Sequence, residues 1–361
     1  MDVWRRHPDF AVRFEEVGLA LLELADEMPR QDQVIIRLLF ARTRFRNNRY
    51  VGGHGEELTN KARHAECWRL LQTAQTPHFG GGSQPLISVC IPAFNNGDII
   101  AATLDSVLKQ TYPNFEVIIT DDHSTDKTVS VIESFTDPRI KLIQNEATLG
   151  LGGNWNKAVS CATGKYVKLL CGDDLIYPDC LGLQMEALEN AANSGAVLAV
   201  CNTDVVNAND KIVLRRKSRF FPGLVSGRKL IRNSVRWGTN LIGEPVVGLF
   251  KRDVLDRSGL FDPTNPYLID LAFWAELLKH GDAFMDQSRL AAFRISANSV
   301  STKVGLKQAA SFRKFIRKVR ADPVYRVSWL DVMLGCFISF QWCILRNLLI
   351  SVQAGTTRRN K

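Results

Sequence analysis

The chain has 361 residues, of which 45% are hydrophobic and 23% are charged. This composition excludes a disordered chain, and the length allows either one large core with an appendage or two domains. The formal net charge of +9 indicates an anionic partner, although the total alone does not distinguish a nucleotide phosphate from a membrane surface or a nucleic acid.

Residues 1–84 are predicted to form a helical N-terminal extension that ends in a linker. An apolar seam of helical period stops at Pro29, and a second helical segment, 32–46, becomes basic towards its end. A Gly-Gly-Gly-Ser run at 80–83 ends the linker near residue 84. We interpret the extension as packing on the main domain or on a second subunit. The alternative is an anionic membrane contact, because a basic amphipathic helix can lie at a lipid interface.

From residue 85 onward, short apolar runs alternate with segments of helical period. The predicted strands are 86–91, 115–120, 140–144, 165–170 and 196–201, and the predicted helices between them are 98–110, 126–135, 153–161 and 178–191. This alternation predicts right-handed crossovers. It therefore indicates an α/β fold with a mostly parallel central sheet and flanking helices.

Beyond residue 201 the pattern loosens. A charged hairpin-like stretch at 209–219 is followed by helical segments near 252 and at 270–280, and by a strand-like segment at 289–295. The weaker pattern is typical of the more variable half of a two-part α/β enzyme.

Residues 302–361 are predicted to form a basic and apolar helical C-terminal extension. Within it, residues 329–352 are mostly apolar, but polar residues interrupt the run at Asp331, Gln341, Arg346 and Asn347. These interruptions favour a buried or interfacial helix over a membrane span. Basic residues precede and follow the segment, so peripheral attachment to a membrane stays open.

The eight cysteines include no Cys-x-x-Cys pair, and several of them lie in or beside apolar segments. This is the usage of a reducing compartment, where cysteine serves as a small apolar residue, and it argues against a zinc site and a disulfide framework. The first residues lack the apolar core of a secretory signal. We therefore expect a cytoplasmic location, with attachment to the inner face of the membrane as an open alternative.

Two predicted strands end in paired acids. Residues 117–122 read Val-Ile-Ile-Thr-Asp-Asp, and residues 169–174 read Leu-Leu-Cys-Gly-Asp-Asp. The carboxyl ends of parallel strands meet at the edge where open α/β folds bind their ligands. The two pairs therefore favour a site for a metal ion and a nucleotide.

Four segments resemble, in order and spacing, the catalytic domain of family 2 glycosyltransferases, which are inverting enzymes with the type A nucleotide-sugar fold. The segments are 87–95 (ISVCIPAFN), 104–112 (LDSVLKQTY), 115–126 (FEVIITDDHSTD) and 145–164, which contains Asn-Trp-Asn at 154–156. The resemblance covers about 85–301. It implies a catalytic domain of that extent, with a nucleotide-sugar half at 85–202 and an acceptor half at 203–301.

The resemblance also implies the reaction. A sugar would move, with inversion, from a nucleotide-diphosphate sugar to a hydroxyl group of a glycan or glycolipid, in polysaccharide or glycolipid biosynthesis. Mn²⁺ or Mg²⁺ would be the cofactor, and a homo-oligomer stays open.

The donor site is expected at the ends of the first two strands. Phe94 can lie against a nucleobase, and Asp121 or Asp122 can accept hydrogen bonds from the base or ribose. The alternative for the acidic pair is a helix N-cap formed with Ser124 or Thr125. The same motifs place three further residues at the nucleotide-sugar site: Pro92, Asn95 and Asn154.

Asp173 and Asp174 are the expected metal ligands. A diphosphate leaving group gains charge as its bond to the sugar breaks, and a divalent cation held by carboxylate oxygens lowers that barrier. The family usually has Asp-x-Asp here, and its first acid corresponds to Cys171. A thiol is a poor magnesium ligand, so Asp173 is expected to be the main protein ligand, also in contact with the donor, and the ribose contact stays unassigned. The alternative is a solvated turn after a strand.

Asp270 is the expected catalytic base. Inversion by direct displacement needs one base to take the proton of the acceptor hydroxyl. The resemblance implies an acid at the start of a helix after a Gly-x-Phe-Asp turn, and 259–262 supplies that turn. The family often has Glu-Asp where this chain has Ile269-Asp270. An N-cap role is the alternative, and the two roles are compatible because a helix N-terminus keeps a carboxylate ionised.

Arg294 is expected to reach the diphosphate with its forked donors, and a core-edge arginine is the alternative.

Two other functions compete with sugar transfer. A non-catalytic sugar-nucleotide or membrane-surface binding protein would have lost activity through Cys171. A sugar nucleotidyltransferase is disfavoured, because no glycine-rich loop bearing Lys or Arg follows the first strand. Nucleic acid is not an expected partner, because no basic strand interleaved with aromatic residues and no zinc module is present.

Overall fold

The structure is a computed structural model that describes residues 84–216, 218, 220–295 and 307–342. From Pro85 onward the described residues belong to one compact unit. The helices predicted within 1–83 and the basic tail that ends at residue 361 lie outside the described residues. The predicted division into 85–202, 203–301 and 302–361 stays a prediction.

The described strands form one sheet. They are β1 Ile87–Ala93, β2 Phe115–Asp121, β3 Ile140–Gln144, β4 Tyr166–Leu169, β5 Leu175–Ile176, β6 Ala196–Val206, β7 Ile212–Arg215, β8 Gly223–Val225, β9 Gly248–Lys251 and β10 Asp282–Arg294. The order across the sheet is β3-β2-β1-β4-β9-β6-β10-β5, with β7 beside β6 and β8 beside β10. The pairs β1–β2, β2–β3, β1–β4 and β6–β10 are parallel. The predicted α/β fold with a mostly parallel sheet is thereby confirmed.

Helices cover the sheet. They are α1 Ile100–Leu108, α2 Thr128–Glu133, α3 Gly150–Ser160, α4 Cys180–Asn190, α5 Gly227–Arg236, α6 Arg252–Ser258, α7 Ile269–Leu277 and α8 Lys307–Ala321, followed by α9 at 329–342. Every residue of β1 and β2 is buried. Such burial on both faces explains why these strands are nearly continuous apolar runs in the sequence.

Several strands differ from the sequence prediction, and β5 and β8 were not predicted. β6 continues five residues beyond the predicted end at 201, and β10 begins at Asp282 instead of 289. Polar residues break the apolar pattern of β6, but neighbouring elements satisfy them: Asn202 Nδ2 donates to the carbonyl oxygen of Gln287 at 2.6 Å, and Asp204 accepts from the Tyr177 hydroxyl at 3.0 Å. β9 was not predicted and lies antiparallel between β4 and β6.

An aromatic cluster fixes α7 against the sheet. The rings of Phe261 and Phe273 stack with centroids 3.9 Å apart, and Trp155 of α3 meets Phe261 edge-on at 5.3 Å. Phe250 of β9 contacts both Phe273 and Trp274. The N-terminus of α7, where Asp270 lies, therefore has a fixed position relative to β9 and α3.

The described C-terminal segment is helical at α8 and α9. Within the described residues, no helix has both the length and the apolar character that crossing a bilayer requires. The predicted segment 329–352 continues past residue 342 into residues outside the description.

Candidate active site

The carboxyl ends of β1, β2 and β4 lie at one edge of the sheet. Ala93, the last residue of β1, is in register with Asp121, the last residue of β2. β4 runs parallel to β1 on its other side and leads into the acidic turn 171–174. The loop after β1 reaches this turn, because a Cβ added to Gly172 would lie 2.8 Å from Asn96 Oδ1. The loop after β1 therefore lies against the turn that carries Asp173 and Asp174.

The loops after β1 and β2 bind each other. Asn95 donates its backbone N–H to Ser124 Oγ at 2.9 Å, and Asn95 Oδ1 accepts from the backbone N–H of Thr125 at 2.9 Å. Neither Ser124 nor Thr125 caps α2. The N-cap position is occupied by Lys127, and Asp126 lies just before it, where its Oδ1 accepts from the backbone N–H of Thr128 at 2.9 Å. Phe94 stands at the tip of these loops with 48% of its surface exposed.

The structure separates the roles of Asp121 and Asp122. Asp122 Oδ1 accepts from the backbone N–H of Leu149 at 2.7 Å, and its Oδ2 accepts from that of Gly150 at 2.9 Å. Asp122 thereby holds the N-terminus of α3. Asp121 Oδ2 accepts from the backbone N–H of Ser124 at 2.9 Å, whereas its Oδ1 is buried and has no hydrogen-bond partner among the described residues. Asp121 is therefore the acid of this pair with an oxygen still available.

Pro92 and Asn154 form the base of this edge. Pro92 is buried within β1. Asn154 Nδ2 donates to the carbonyl oxygens of Ala93 at 3.1 Å and Thr120 at 3.0 Å, and so ties the ends of β1 and β2 together. Of the predicted donor-site residues on β1, β2, α3 and their loops, Phe94 and Asp121 keep groups available to a ligand, and the others shape the edge.

Cys171, Asp173 and Asp174 form a compact cluster. The cysteine sulfur and one carboxylate oxygen of each acid all lie within 4.8 Å of one another. Burial raises the pKa of Asp173, and it raises the pKa of Asp174 well above its usual value, with the charge of Asp173 adding to the effect. Asp174 Oδ1 accepts from the backbone N–H of Arg294 at 3.0 Å, and its Oδ2 is buried with no partner in the described part of the chain.

The donor set of this cluster fits a hard divalent cation. Two adjacent carboxylates, one with a buried oxygen that has no partner among the described residues, offer the oxygen ligands that Mg²⁺ and Mn²⁺ prefer. The Cys171 thiol does not add to the set. Burial and the neighbouring acids raise its pKa well above its usual value, so it stays protonated, whereas the thiolate is the form that binds metals.

Arg294 lies behind the acidic turn. Its side chain is buried, and its Nε donates to the carbonyl oxygen of Asp173 at 2.7 Å. Its Nη1 donates to the carbonyl oxygen of Asn207 at 3.3 Å and to the carboxylate of Asp210. Nη2 has no hydrogen-bond partner among the described residues. This geometry corresponds to the core-edge alternative, because a guanidinium engaged in this way supports the turn and does not present a free fork to a diphosphate.

Asp270 lies in the first turn of α7. Its Oδ1 accepts from the backbone N–H of Leu271 at 2.7 Å, and its Oδ2 accepts from Asn240 Nδ2 at 2.9 Å. Burial raises the pKa of Asp270 to about 7. The hydrogen bonds from Leu271 and Asn240 oppose this rise, and the negative charge of Glu244 adds to it.

Glu244 is a site residue that sequence reasoning missed. Its Oε1 accepts from Arg216 Nη1 at 2.5 Å, and its Oε2 is buried without a partner among the residues described. Asn240 organises the turn before it: its Oδ1 accepts from the backbone N–H groups of Ile242 at 3.0 Å and Gly243 at 3.1 Å. The signal in the sequence was a lone acid between a glycine and a proline, ahead of an apolar run.

The acids of the turn, of α7 and of the 240–244 loop lie in one place. The charges of Asp174, Asp173, Asp270 and Glu244 all act on the Cys171 thiol. The structure thus brings together the two predicted metal ligands, the predicted base and the acid that was missed. A cation and a general base can work on the same substrate in such an arrangement.

The chain is similar to known proteins in both sequence and structure. The family model described as glycosyl transferase family 2 matches residues 88–259. An Escherichia coli protein named UDP-Glc:alpha-D-GlcNAc-diphosphoundecaprenol beta-1,3-glucosyltransferase WfgD is 30% identical over 221 residues, which are 60% of this chain and 80% of that protein.

Two solved structures share the fold. Residues 1–349 of S. aureus TarS in complex with UDP-GlcNAc match with a TM-score of 0.53 and 18% identity, over 65% of this chain and 66% of that one. The mannosyltransferase PcManGT from Pyrobaculum calidifontis, in complex with GDP-Man and Mn²⁺, matches with a TM-score of 0.50 and 18% identity, over 82% of this chain and 83% of that one. The type A fold predicted from the sequence is confirmed by these likenesses.

Proposed function

Because the chain belongs to glycosyl transferase family 2, as its motifs predicted, we propose that it transfers a sugar with inversion from a nucleotide-diphosphate sugar to a hydroxyl group of a glycan or glycolipid. The observation that carries this proposal is the cluster of Cys171, Asp173 and Asp174, whose ligand atoms lie within 4.8 Å of one another. Asp270 and Glu244 are near enough for their charges to act on the Cys171 thiol. A polysaccharide or glycolipid pathway is the proposed setting, and a cytoplasmic location stays a prediction.

Asp173 and Asp174 are the proposed ligands of Mn²⁺ or Mg²⁺, which would neutralise the charge that grows on the diphosphate as its bond to the sugar breaks. This role is supported by Asp174 Oδ2, which has no partner in the described part of the chain, and by the raised pKa values of both acids. Two buried carboxylates this close resist ionising together unless a positive charge compensates them. Arg294 holds the turn, because its Nε donates to the carbonyl oxygen of Asp173 and its backbone N–H donates to Asp174 Oδ1.

The donor nucleoside is proposed to bind at the ends of β1 and β2. The exposed Phe94 ring offers an apolar face to the base, and Asp121 Oδ1 offers an acceptor for the base or the ribose. Asp122 and Asn154 hold the loops that present these two groups.

Asp270 is proposed to be the general base. As the acceptor oxygen attacks the anomeric carbon, its proton passes to the Asp270 carboxylate, and the carbon–oxygen bond to the diphosphate breaks with its electron pair moving to the leaving oxygen. A pKa of about 7 suits this task, because the group is substantially ionised near neutral pH and still a strong enough base. The bonds from Leu271 and Asn240 fix the carboxylate in place.

The base is tested by Asp270→Asn, with Asp262→Asn as the matched control. Asp262 is an acid in the preceding turn that pairs with Lys318 at 3.6 Å. We expect Asp270→Asn to lower transfer by about 10²-fold or more while donor binding is retained, because proton abstraction is lost. Asp262→Asn should transfer sugar normally. Full turnover by Asp270→Asn would show that another group is the base.

The function itself is tested by a thermal-shift screen of nucleotide sugars with and without Mn²⁺, since a ligand that binds only the native state raises its stability. A donor that binds with Mn²⁺ and is hydrolysed slowly to free nucleoside diphosphate supports the proposal. Pyrophosphate release from a sugar phosphate and a nucleoside triphosphate would favour a nucleotidyltransferase. Donor binding without transfer or hydrolysis would favour a non-catalytic binding protein.

A further inference from the structure

The polarity of α9 is the reverse of what a surface helix of a water-soluble domain shows. The residues that it turns towards the protein are small or polar: Asp331, Gly335 and Ser339. The residues that it turns outward are large and apolar, and we call them the outward face: Trp329 (64% exposed), Leu330 (63%), Met333 (60%), Phe337 (61%) and Phe340 (47%). In a soluble domain the apolar stripe of such a helix normally packs against the core.

Specific contacts hold α9 in this rotation. Asp331 is fully buried and accepts from Arg232 Nε at 2.9 Å and from Arg236 Nε at 2.6 Å, both on α5. A Cβ added to Gly335 would lie 2.0 Å from the carbonyl oxygen of Val235, so the two helices touch through their backbones. Turning α9 by half a turn would break two ion pairs and force larger side chains into this contact. The outward face is therefore a fixed feature of the fold.

The start of α9 is also fixed. Ser328 Oγ accepts from the backbone N–H of Asp331 at 3.1 Å, while Asp331 Oδ2 accepts from the backbone N–H of Ser328 at 2.9 Å. This reciprocal pair is a capping box. It begins the helix directly before Trp329, so Trp329 and Leu330 lie in an ordered first turn.

A row of arginines on α8 lies beside the outward face. Arg313, Arg317 and Arg320 are exposed on α8, and no acid of the described residues lies within ion-pair distance of them. Their spacing of four and three residues places them on one side of α8. The Arg320 guanidinium lies 4.2 Å from the centre of the Trp329 ring, which joins the row to the outward face.

We propose that the outward face of α9 docks on an anionic phospholipid bilayer, with the arginines of α8 contacting the lipid headgroups. Apolar side chains beside a basic row, with a tryptophan between them, match the two layers of a membrane interface. A second copy of the chain fits less well. In a two-fold dimer, the outward face of one chain would pack against the outward face of the other, and the two rows of arginines would be brought together.

The docking involves no residue of the proposed sugar-transfer site, so failure of either proposal is distinguishable from failure of the other. The test uses flotation of the full chain with vesicles of phosphatidylcholine mixed with phosphatidylglycerol, and with vesicles of phosphatidylcholine alone. Phe337→Gln is compared with Phe221→Gln, which changes a side chain that is 90% exposed elsewhere. We expect Phe337→Gln to bind anionic vesicles at least about tenfold more weakly, since one large apolar side chain is worth that much on transfer from water.

The charge contribution has its own matched pair. Arg313→Gln/Arg317→Gln removes two charges beside the outward face, and Lys157→Gln/Arg215→Gln removes two exposed charges on α3 and β7. We expect the first double variant to lose the preference for anionic vesicles and the second to keep it, because the electrostatic attraction falls off within a Debye length of the surface.

Tryptophan fluorescence gives a separate readout of contact with the bilayer. Phospholipids brominated on their acyl chains should quench part of the tryptophan fluorescence of the wild-type chain, and Trp329→Phe should remove the quenched part. The proposal is overturned if the chain does not bind anionic vesicles or if Phe337→Gln and Phe221→Gln bind equally. It is also overturned if the chain is a dimer without lipid and Phe337→Gln makes it a monomer, since a second copy would then cover this face.

Discussion

Replacing Asp270 by Asn should stabilise the protein above neutral pH as it abolishes transfer. Burial raises the pKa of this carboxyl from 3.8 to about 7, which corresponds to about 4 kcal/mol at about 1.4 kcal/mol for each tenfold change in the ionisation constant. The unfolded chain releases the proton first, so the native state binds more protons between these two values. Stability therefore falls as the pH rises from about 4 to about 7 and then levels off.

Asn carries no charge at any of these pH values, so the variant escapes this loss. Its amide must, however, meet Asn240 Nδ2, which now donates to Asp270 Oδ2 at 2.9 Å. Two facing donors forfeit one hydrogen bond, or about 1 kcal/mol. The expected gain in the free energy of unfolding is therefore about 3 kcal/mol above about pH 7, and no gain below about pH 4.

Urea unfolding of the full chain at a series of pH values measures this difference. Asp262→Asn is the matched control of opposite sign, because the hydrogen bond from Thr264 and the charge of Lys318 lower the pKa of Asp262. Asp262 contributes stability above the pKa that it has in the unfolded chain, and that stability is lost as the pH falls. Its Asn variant should be less stable at neutral pH. An Asp270→Asn variant whose stability differs from wild type by the same amount at all pH values would refute the reasoning.

Two further predictions concern the same site. The first is that Glu244→Gln moves the acid limb of the kcat/KM pH profile to lower pH, because the charge of Glu244 raises the pKa of Asp270. Asn240→Ala should move the same limb to higher pH, because the hydrogen bond that it removes favours the ionised form of Asp270. Shifts of the limb in the same direction in both variants would contradict this prediction. The second is that Asp173→Asn removes the Mn²⁺-dependent part of donor affinity in a binding titration. The control Asp179→Asn, which changes an exposed acid, should retain it. Equal Mn²⁺ dependence in both variants would exclude Asp173 as a ligand.

The sequence predicts best those elements whose burial leaves a local pattern. β1 and β2 are recognisable because all their residues are buried between layers, and such strands are almost entirely apolar. The second half of β6 carries Asn202 and Asp204, whose polar groups suggest a loop. Their partners on β10 and beside β5 come from about 85 and 27 residues away, and no local pattern reports them.

The same distinction holds for the site. Paired acids at strand ends are visible in the sequence, and parallel strands bring such ends to one edge. The choice between Asp121 and Asp122 is not visible, because the backbone groups that occupy Asp122 come from Leu149 and Gly150 at the start of α3. Glu244 stands alone in the sequence. Its charge acts on Asp270, and Asn240 joins the two segments by donating to both the Gly243 carbonyl oxygen and the Asp270 carboxylate.

Cys171, which stands where the family usually has an acid, affects the charge balance of the acidic cluster. Asp173, Asp174, Asp270 and Glu244 already share one partly buried site, and each added negative charge there raises the pKa of its neighbours. A further Asp at position 171 would add to this repulsion, whereas the Cys171 thiol stays protonated and neutral. Cys171 therefore lowers the charge that must be compensated when the cation is absent. It also offers one hard oxygen ligand fewer, so the proposed cation would depend more strongly on Asp173 and on the carboxylate oxygen of Asp174 that has no partner among the described residues.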